Sequence, residues 1–309
     1  MLFRSTVLNI HAEEQKLNAT GKSNVTEEYR PALPGQSTGE VRNPKAFAVL
    51  LEDGSVATWG TVDSIENREE LKSGVVELFS NTFAFAALKE DGSVVTWGWG
   101  NGGGNSFGGD SSEVADQLTS GVKQIYSNDY TFTALKNDGS VVTWGASPKE
   151  IIDWKEPDED KPNTSSITGI KEIVTNRHSF AGLRDYGSVV EWGEEPKWKP
   201  ATNALSSGVK QIYATKYSFA ALKDDGSIVA WGESSGGDTR GIEDQLSAKE
   251  FVEITPNGYA YAALKKDGSV LTWGESRYGI DMYNNNTNNI QESLSSGVLR
   301  VYSTDTGFA

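Results

Sequence analysis

The residues best suited to catalysis are scarce in this chain. Of 309 residues, two are histidine, two are methionine and none is cysteine. Thiolate ligands, disulfides and a cysteine nucleophile are therefore excluded. His11 and His178 alone cannot furnish a multi-histidine zinc site, and a histidine-based triad has little to draw on. General acid–base work needs a carboxylate tuned in a pocket. The densest acidic run, DWKEPDED at 153–160, contains a proline and reads as a solvated insertion. The glycine run at 98–104 (GWGNGGG) is followed by neither the Lys nor the helix pattern of a phosphate cradle, so it reads as a surface loop. The repeated Asp-Gly pairs, and GGD at 108–110 and 236–238, lack the dense oxygen ligands of a calcium loop and read as turns. Asn18, Asn24, Asn163 and Asn285 head glycosylation sequons, which matter only in a eukaryotic secretory setting. No catalytic, cofactor-binding or metal-binding residue is expected, and no cofactor.

What remains is chemistry of contact. The chain carries 28 Lys+Arg against 43 Asp+Glu, a formal charge of −15, so phosphate is repelled and nucleic acid is not expected as a partner. No run of 18 apolar residues occurs, so no membrane insertion is expected, and the opening MLFRSTVLNIHAEEQ does not resemble a signal peptide. Aromatic residues are abundant, and two sets stand out as contact candidates. Phe83, Tyr130, Tyr217 and Tyr259, with Asp129 and His178, form the first; Trp99, Trp154 and Trp198, with Tyr278 and Tyr283, form the second.

Why those residues belong together follows from an internal repeat. DGSVATWG at 53–60 returns as DGSVVTWG at 91–98 and 138–145, YGSVVEWG at 186–193, DGSIVAWG at 225–232 and DGSVLTWG at 267–274. The Gly of each turn recurs every 38 to 48 residues. A G-V-x-x-I-Y-like segment precedes most copies, starting at Gly74, Gly121, Gly169 and Gly208, with Glu250 in the fifth place and Gly297 opening the last. From that position to the Gly after Trp is 24 residues wherever both ends exist, so length varies only between WG and the next unit. One supersecondary block per repeat is implied. Within it, 122–126, 131–136 and 140–144 read as strands, the last two joined by an Asp-Gly hairpin. FAALK and SVVTW are apolar on both faces, as in a sheet covered on both sides.

Small sheets stacked face to face once per repeat describe an all-β fold, a β-propeller of small antiparallel blades. The first repeat lacks its leading strand, and the last segment, SSGVLRVYSTDTGFA, supplies one with little after it. The expected closure pairs 298–302 with the first repeat and makes six blades. Phe308-Ala309 repeats the phase of Phe47-Ala48, which leaves a seventh blade as the alternative. Residues 1–43 fit no repeat and read as a polar N-terminal tail or linker; 44–309 read as the propeller.

In this frame, SGVKQIYSNDYTFTALKNDGSVVTWG resembles the repeat of the regulator of chromosome condensation family. It is more similar still to a short-repeat bacterial branch that includes a propeller-type β-lactamase inhibitor protein. The resemblance implies seven-bladed propellers acting through protein–protein contacts. Two departures stand out. The family's aligned His is mostly aromatic here (Phe85, Phe132, Phe219, Tyr261), and its G-x-L-G signature after WG is replaced by segments such as FGGDSSEVADQL. Nucleotide exchange on a small GTPase therefore does not transfer residue by residue.

The first contact set falls in the short break between the first two strands of each unit, so its members should share one rim. The resemblance implies that inhibitor-type propellers bind through this rim; the other reading is that these rings pack at the blade edge. The second set lies in the variable segments, where each Trp either covers a blade or awaits a partner. The six Trp of the WG pairs should pack between blades. The expected function is a monomeric, non-enzymatic scaffold that binds another protein through one rim. The alternatives are a carbohydrate-binding adhesin module and an effector of a small GTPase.

Overall fold

The Asp-Gly-Ser turn is the local device that shapes each repeat. In the second unit the Asp91 carboxylate accepts hydrogen bonds from the Ser93 amide at 2.9 Å and the Ser93 hydroxyl at 2.6 Å. Gly92 sits at φ +77°, where a side chain is strained. A Cβ there would also lie 2.8 Å from the Gly121 amide of the next unit. The same Asp-to-Ser bonds recur at Asp53, Asp138, Asp225 and Asp267 and hold these carboxyls below the usual range. In the fourth unit Tyr186 replaces the Asp, and the buried Ser188 hydroxyl has no partner.

The computed structural model describes residues 43–60, 68–98, 107–145, 164–201, 203–233, 236–275 and 294–309. By its contacts the chain divides into Met1–Pro31 and Ala32–Ala309, the first lying outside the described residues. The fold is all-β, in small antiparallel blades. The first comprises β1 (Ala46–Leu50) and β2 (Val56–Gly60). The second is β3 (Val75–Ser80), β4 (Ala84–Lys89) and β5 (Val94–Gly98), and the third is β6 (Val122–Ser127), β7 (Thr131–Lys136) and β8 (Val141–Gly145). The fourth is β9 (Ile170–Thr175), β10 (Ser179–Arg184) and β11 (Val189–Gly193). The fifth is β12 (Val209–Ala214), β13 (Ser218–Lys223) and β14 (Ile228–Gly232), and the sixth is β15 (Phe251–Pro256), β16 (Ala260–Lys265) and β17 (Val270–Gly274). In each three-stranded blade the middle strand pairs with both others.

Blades are joined by a repeated backbone bond. The amide of the leading strand donates to the hairpin Gly carbonyl of the preceding blade, as in Val75 to Gly54, Val122 to Gly92, Ile170 to Gly139, Val209 to Gly187 and Phe251 to Gly226, all at 2.9–3.0 Å. Packing follows one rule. The aromatic pair of a blade lies on the small-residue face of the blade before it. Phe132 and Trp144 cluster with Ala84, Ala86 and Leu88; Tyr261 and Trp273 cluster with Ala220 and Leu222. Within each pair the rings stack at centroid distances of 5.0–5.6 Å. Five of the six WG tryptophans are thereby buried, as the repeat pattern requires. The sixth, Trp59, is 52% exposed, and its partner Phe47 is 61% exposed.

The pairing expected between 298–302 and the first repeat is not among the strand ladders of the described residues. β1 pairs with β2 alone. Tyr302 and Ala309 instead exchange both backbone hydrogen bonds at 2.8 Å, and Ser303 bridges Phe308. Tyr302 thus stands opposite Ala309 in the register that Tyr213 has with Ala220. The segment is tied to the sixth blade by the Val298 amide donating to Gly268 at 2.9 Å.

The leading strands also carry carboxylates that the sequence reading passed over. Their third residues are Glu77, Gln124, Glu172, Gln211 and Glu253. Burial, reinforced by Glu172 and Glu77, pushes the Tyr126 hydroxyl up to about 12; burial with Glu253 and Glu172 does the same for Tyr213. No group of three potential metal ligands forms among the described residues.

Candidate functional site

Each loop between a leading strand and the middle strand is built on a buried acceptor. The Asn81 Oδ1 accepts from the amides of Phe83 at 2.8 Å and Ala84 at 2.7 Å. Asn128, Asn176 and Asn257 repeat this toward Tyr130, His178 and Tyr259 and the residues after them. Thr215 does so through its hydroxyl for Tyr217 and Ser218. Such side-chain turns satisfy backbone donors that the loop would otherwise bury unpaired. They also fix the direction of the third loop residue, which is the aromatic one.

The consequence is a continuous row of rings across successive blades. Phe107 lies 4.5 Å from Phe83, Phe83 6.1 Å from Tyr130, Tyr130 6.4 Å from His178, His178 5.9 Å from Tyr217 and Tyr217 6.4 Å from Tyr259. All six are half-buried, with one face or edge open to solvent. The structure thus brings together Phe83, Tyr130, His178, Tyr217 and Tyr259, as the repeat phase demands. Phe107 joins them from the variable segment after the second blade, held by the Asn81 amide donating to its carbonyl at 2.7 Å. At the first blade Lys45 takes the aromatic position, on an equivalent turn made by Asn43.

Beside the rings runs a row of charges and peptides. The middle residues of the loops are bonded head to tail. The amides of Thr82, Asp129, Arg177, Lys216 and Gly258 donate in turn to the carbonyls of Asp129, Arg177, Lys216, Gly258 and Asp305, at 2.9–3.2 Å. In the first loop that place is held by Pro44, which has no N–H to give. Asp129, nominated from sequence for partner contact, is only 8% exposed and is committed to Arg177, whose Nε donates to it at 2.7 Å. Arg177 also donates to the Tyr217 hydroxyl at 2.8 Å and stands over that ring. Asp129 above all raises the guanidinium's pKa well above its ordinary value; burial opposes this, and Tyr217 adds to the rise. Lys216 lies 4.6 Å from the Tyr259 ring centroid and 3.1 Å from the Asp305 carboxylate. Burial works against its charge, but Asp305 and Tyr259 outweigh it and raise its pKa. The His178 Nδ1 is 2.7 Å from Glu194. The rim is therefore pre-organised, its cations already seated on its own rings and carboxylates.

Trp198 is placed elsewhere on the same end of the fifth blade. It exchanges both backbone bonds with Gly232 at 2.9 Å, and Arg240 covers its ring at 4.2 Å. It covers a blade edge and takes no place in the row. Trp99, Trp154, Tyr278 and Tyr283 lie outside the described residues. The two GGD segments fold back over neighbouring blades. Gly108 and Gly236 accept the indole N–H groups of Trp144 and Trp273 at 3.2 and 3.1 Å. The sequence reading missed Phe107; Arg177 and Lys216 fell within the break segments it marked but were not singled out. The Asn-x-aromatic string was a usable signal for the turn, whereas nothing local marks Phe107.

No family model and no curated protein matches the chain. Several solved propellers are similar to it. The CRINKLY WD40 ectodomain of the Arabidopsis thaliana receptor kinase ACR4 is 16% identical with a TM-score of 0.40, over 77% of this chain and 80% of that one. The entire ectodomain of the Physcomitrella patens receptor kinase CR4 is 16% identical with a TM-score of 0.44, over 79% of this chain and 62% of that one. Prp20p from Saccharomyces cerevisiae, the yeast RCC1, is 16% identical with a TM-score of 0.41, over 75% and 70%; it is reported with its binding properties to Gsp1p and histones.

Proposed function

We propose that the protein is a non-enzymatic scaffold that holds a protein partner against the rim formed by Phe83, Phe107, Tyr130, His178, Tyr217 and Tyr259. The observation that carries this reading is the unbroken row of half-buried rings on turns already locked by buried Asn and Thr. Rings of this kind anchor interfaces, and a surface ordered before binding loses little conformational entropy on contact. The net charge of −15 favours a partner whose own surface is basic around an apolar centre. In our reading the repeat string places the chain with the short-repeat bacterial branch, whose members act by protein contact. The open ring faces also suit sugars, so a carbohydrate-binding adhesin module is the second reading.

The test replaces Tyr130 and Tyr217 together by Ala. Binding to the protein recovered on the intact chain from its native lysate should weaken at least tenfold, with the melting temperature lowered by no more than about 3 °C. A large loss of stability with binding otherwise intact would mark the rings as packing residues. Saturable binding on a glycan array, lost in the same variant, would favour the second reading.

A further inference from the structure

One residue of the repeat departs from its frame in a way that the rim does not use. The position before the WG tryptophan is Thr58, Thr96, Thr143, Ala230 or Thr272 in five blades and Glu191 in the fourth. The threonines in the second and third blades are locally satisfied: Thr96 bonds the Gly109 carbonyl at 3.1 Å, and Thr143 meets the Thr133 hydroxyl at 2.7 Å. Glu191 instead lines an open groove of about 440 Å³ beside β11, between that strand and the segment that follows it. Its walls are largely apolar, from Val189, Pro196, Pro200 and Leu205. The lysine of the same wall, Lys199, is paired with Glu195. The Trp231 indole N–H, fully buried and with no completed hydrogen bond, favours the charged carboxylate. Among the described residues no cation is paired with Glu191.

A half-buried carboxylate without a counter-ion is costly to keep charged. Burial pushes Glu191 up to about 7, against smaller opposing effects of Trp231 and Lys199. The groove is within the size range of small-ligand sites; beside the paired Lys199 and Glu195 it holds one carboxylate with no counter-ion, Glu191, against apolar side chains.

We propose that this groove binds a small organic cation, an ammonium or guanidinium group on an apolar stem, with Glu191 as its counter-ion. The stem lies against the two prolines and Leu205, and the charged head reaches the carboxylate beneath. Lys199 is the rival occupant, since it needs only to leave Glu195 to compete.

The test is a calorimetric titration at pH 8, where Glu191 is ionised, with phenethylamine and its neutral N-acetyl derivative as probes. The amine should saturate one site on the full chain. The acetylated probe should bind at least tenfold more weakly, and so should the amine to Glu191→Gln. Glu191→Thr, the residue most other blades use, serves as a second variant whose folding the repeat itself supports. Lys199→Ala should bind the amine as tightly or more tightly. The proposal fails if neither the wild type nor Lys199→Ala saturates, if the two probes bind alike, or if the Glu191 variants bind the amine unchanged.

Discussion

A single buried side chain at the head of each rim loop decides where the next ring points. Asn128 accepts three hydrogen bonds, from the amides of Tyr130 and Thr131 and from the Thr131 hydroxyl. Each buried donor left unpaired would cost on the order of 1–3 kcal/mol. The aromatic identities were legible in the sequence as variation on a constant frame. Composition does not reveal that Arg177, 48 positions on, claims the Asp129 carboxylate. Glu191 went unremarked because a lone Glu in a strand looks solvent-facing until the next segment is laid over it. Its consequence is a pH dependence. The folded value is about 7 against an ordinary 4.5, so the native chain binds the extra proton between those limits. The charged form is therefore penalised, and stability falls as pH rises through 7, by roughly 3 kcal/mol at most. Glu172, also raised by burial, acts in the same direction. The hairpin aspartates, whose values are lowered, matter only in acid. Glu191→Gln should flatten the decline in melting temperature between pH 5.5 and 8.5, gaining several degrees at the alkaline end by calorimetry. Parallel curves for the two proteins would count against a buried carboxylate here.

The strands of the blade were readable almost to the residue. The run expected at 131–136 is β7, that at 122–126 is one residue short of β6, and that at 140–144 is β8 shifted by one residue. Alternation of small and large apolar residues, with a turn of fixed chemistry, leaves one register. The rim ladder was not readable, because it joins peptides about 40 residues apart and uses no side-chain signature. Its tightest step is at Gly258, where a Cβ would stand 2.8 Å from the Asp305 carbonyl oxygen. Gly258→Ala should push the last loop away, breaking the 2.9 Å bond between the Gly258 amide and Asp305 and the Lys216 ion pair. Hydrogen exchange at the Gly258 amide should accelerate at least tenfold, while global stability drops by only about 1–2 kcal/mol. Unchanged exchange would mean that the loop absorbs the methyl without parting from its neighbour.

Over the whole molecule, the repeat strings made the blade stack legible. The end pairing was not, because 298–302 is as good a leading strand for the residues after it as for the first repeat. Stability is a chain of neighbour contacts, each blade's rings lying on the middle strand of its predecessor. Two tryptophans at the same repeat position should then answer differently to the same change. Trp97→Ala removes a ring with no exposure, buried in the cluster with Ala46 and Val75, and should cost about 3–5 kcal/mol. Trp59→Ala removes a ring that is half exposed and should cost about 1 kcal/mol or less. Thermal melts of the two variants check this, and equal losses would show that Trp59 is covered in solution.

The bond from each leading strand to the Gly before it, and the rings laid on the middle strand before them, recur at successive joints. Any joint can therefore accept the unit of any other. For a gene encoding such a molecule, copying or dropping one whole unit is a gentle edit. The seam that results is one the protein already knows how to make, and the rim gains or loses one ring while keeping its line.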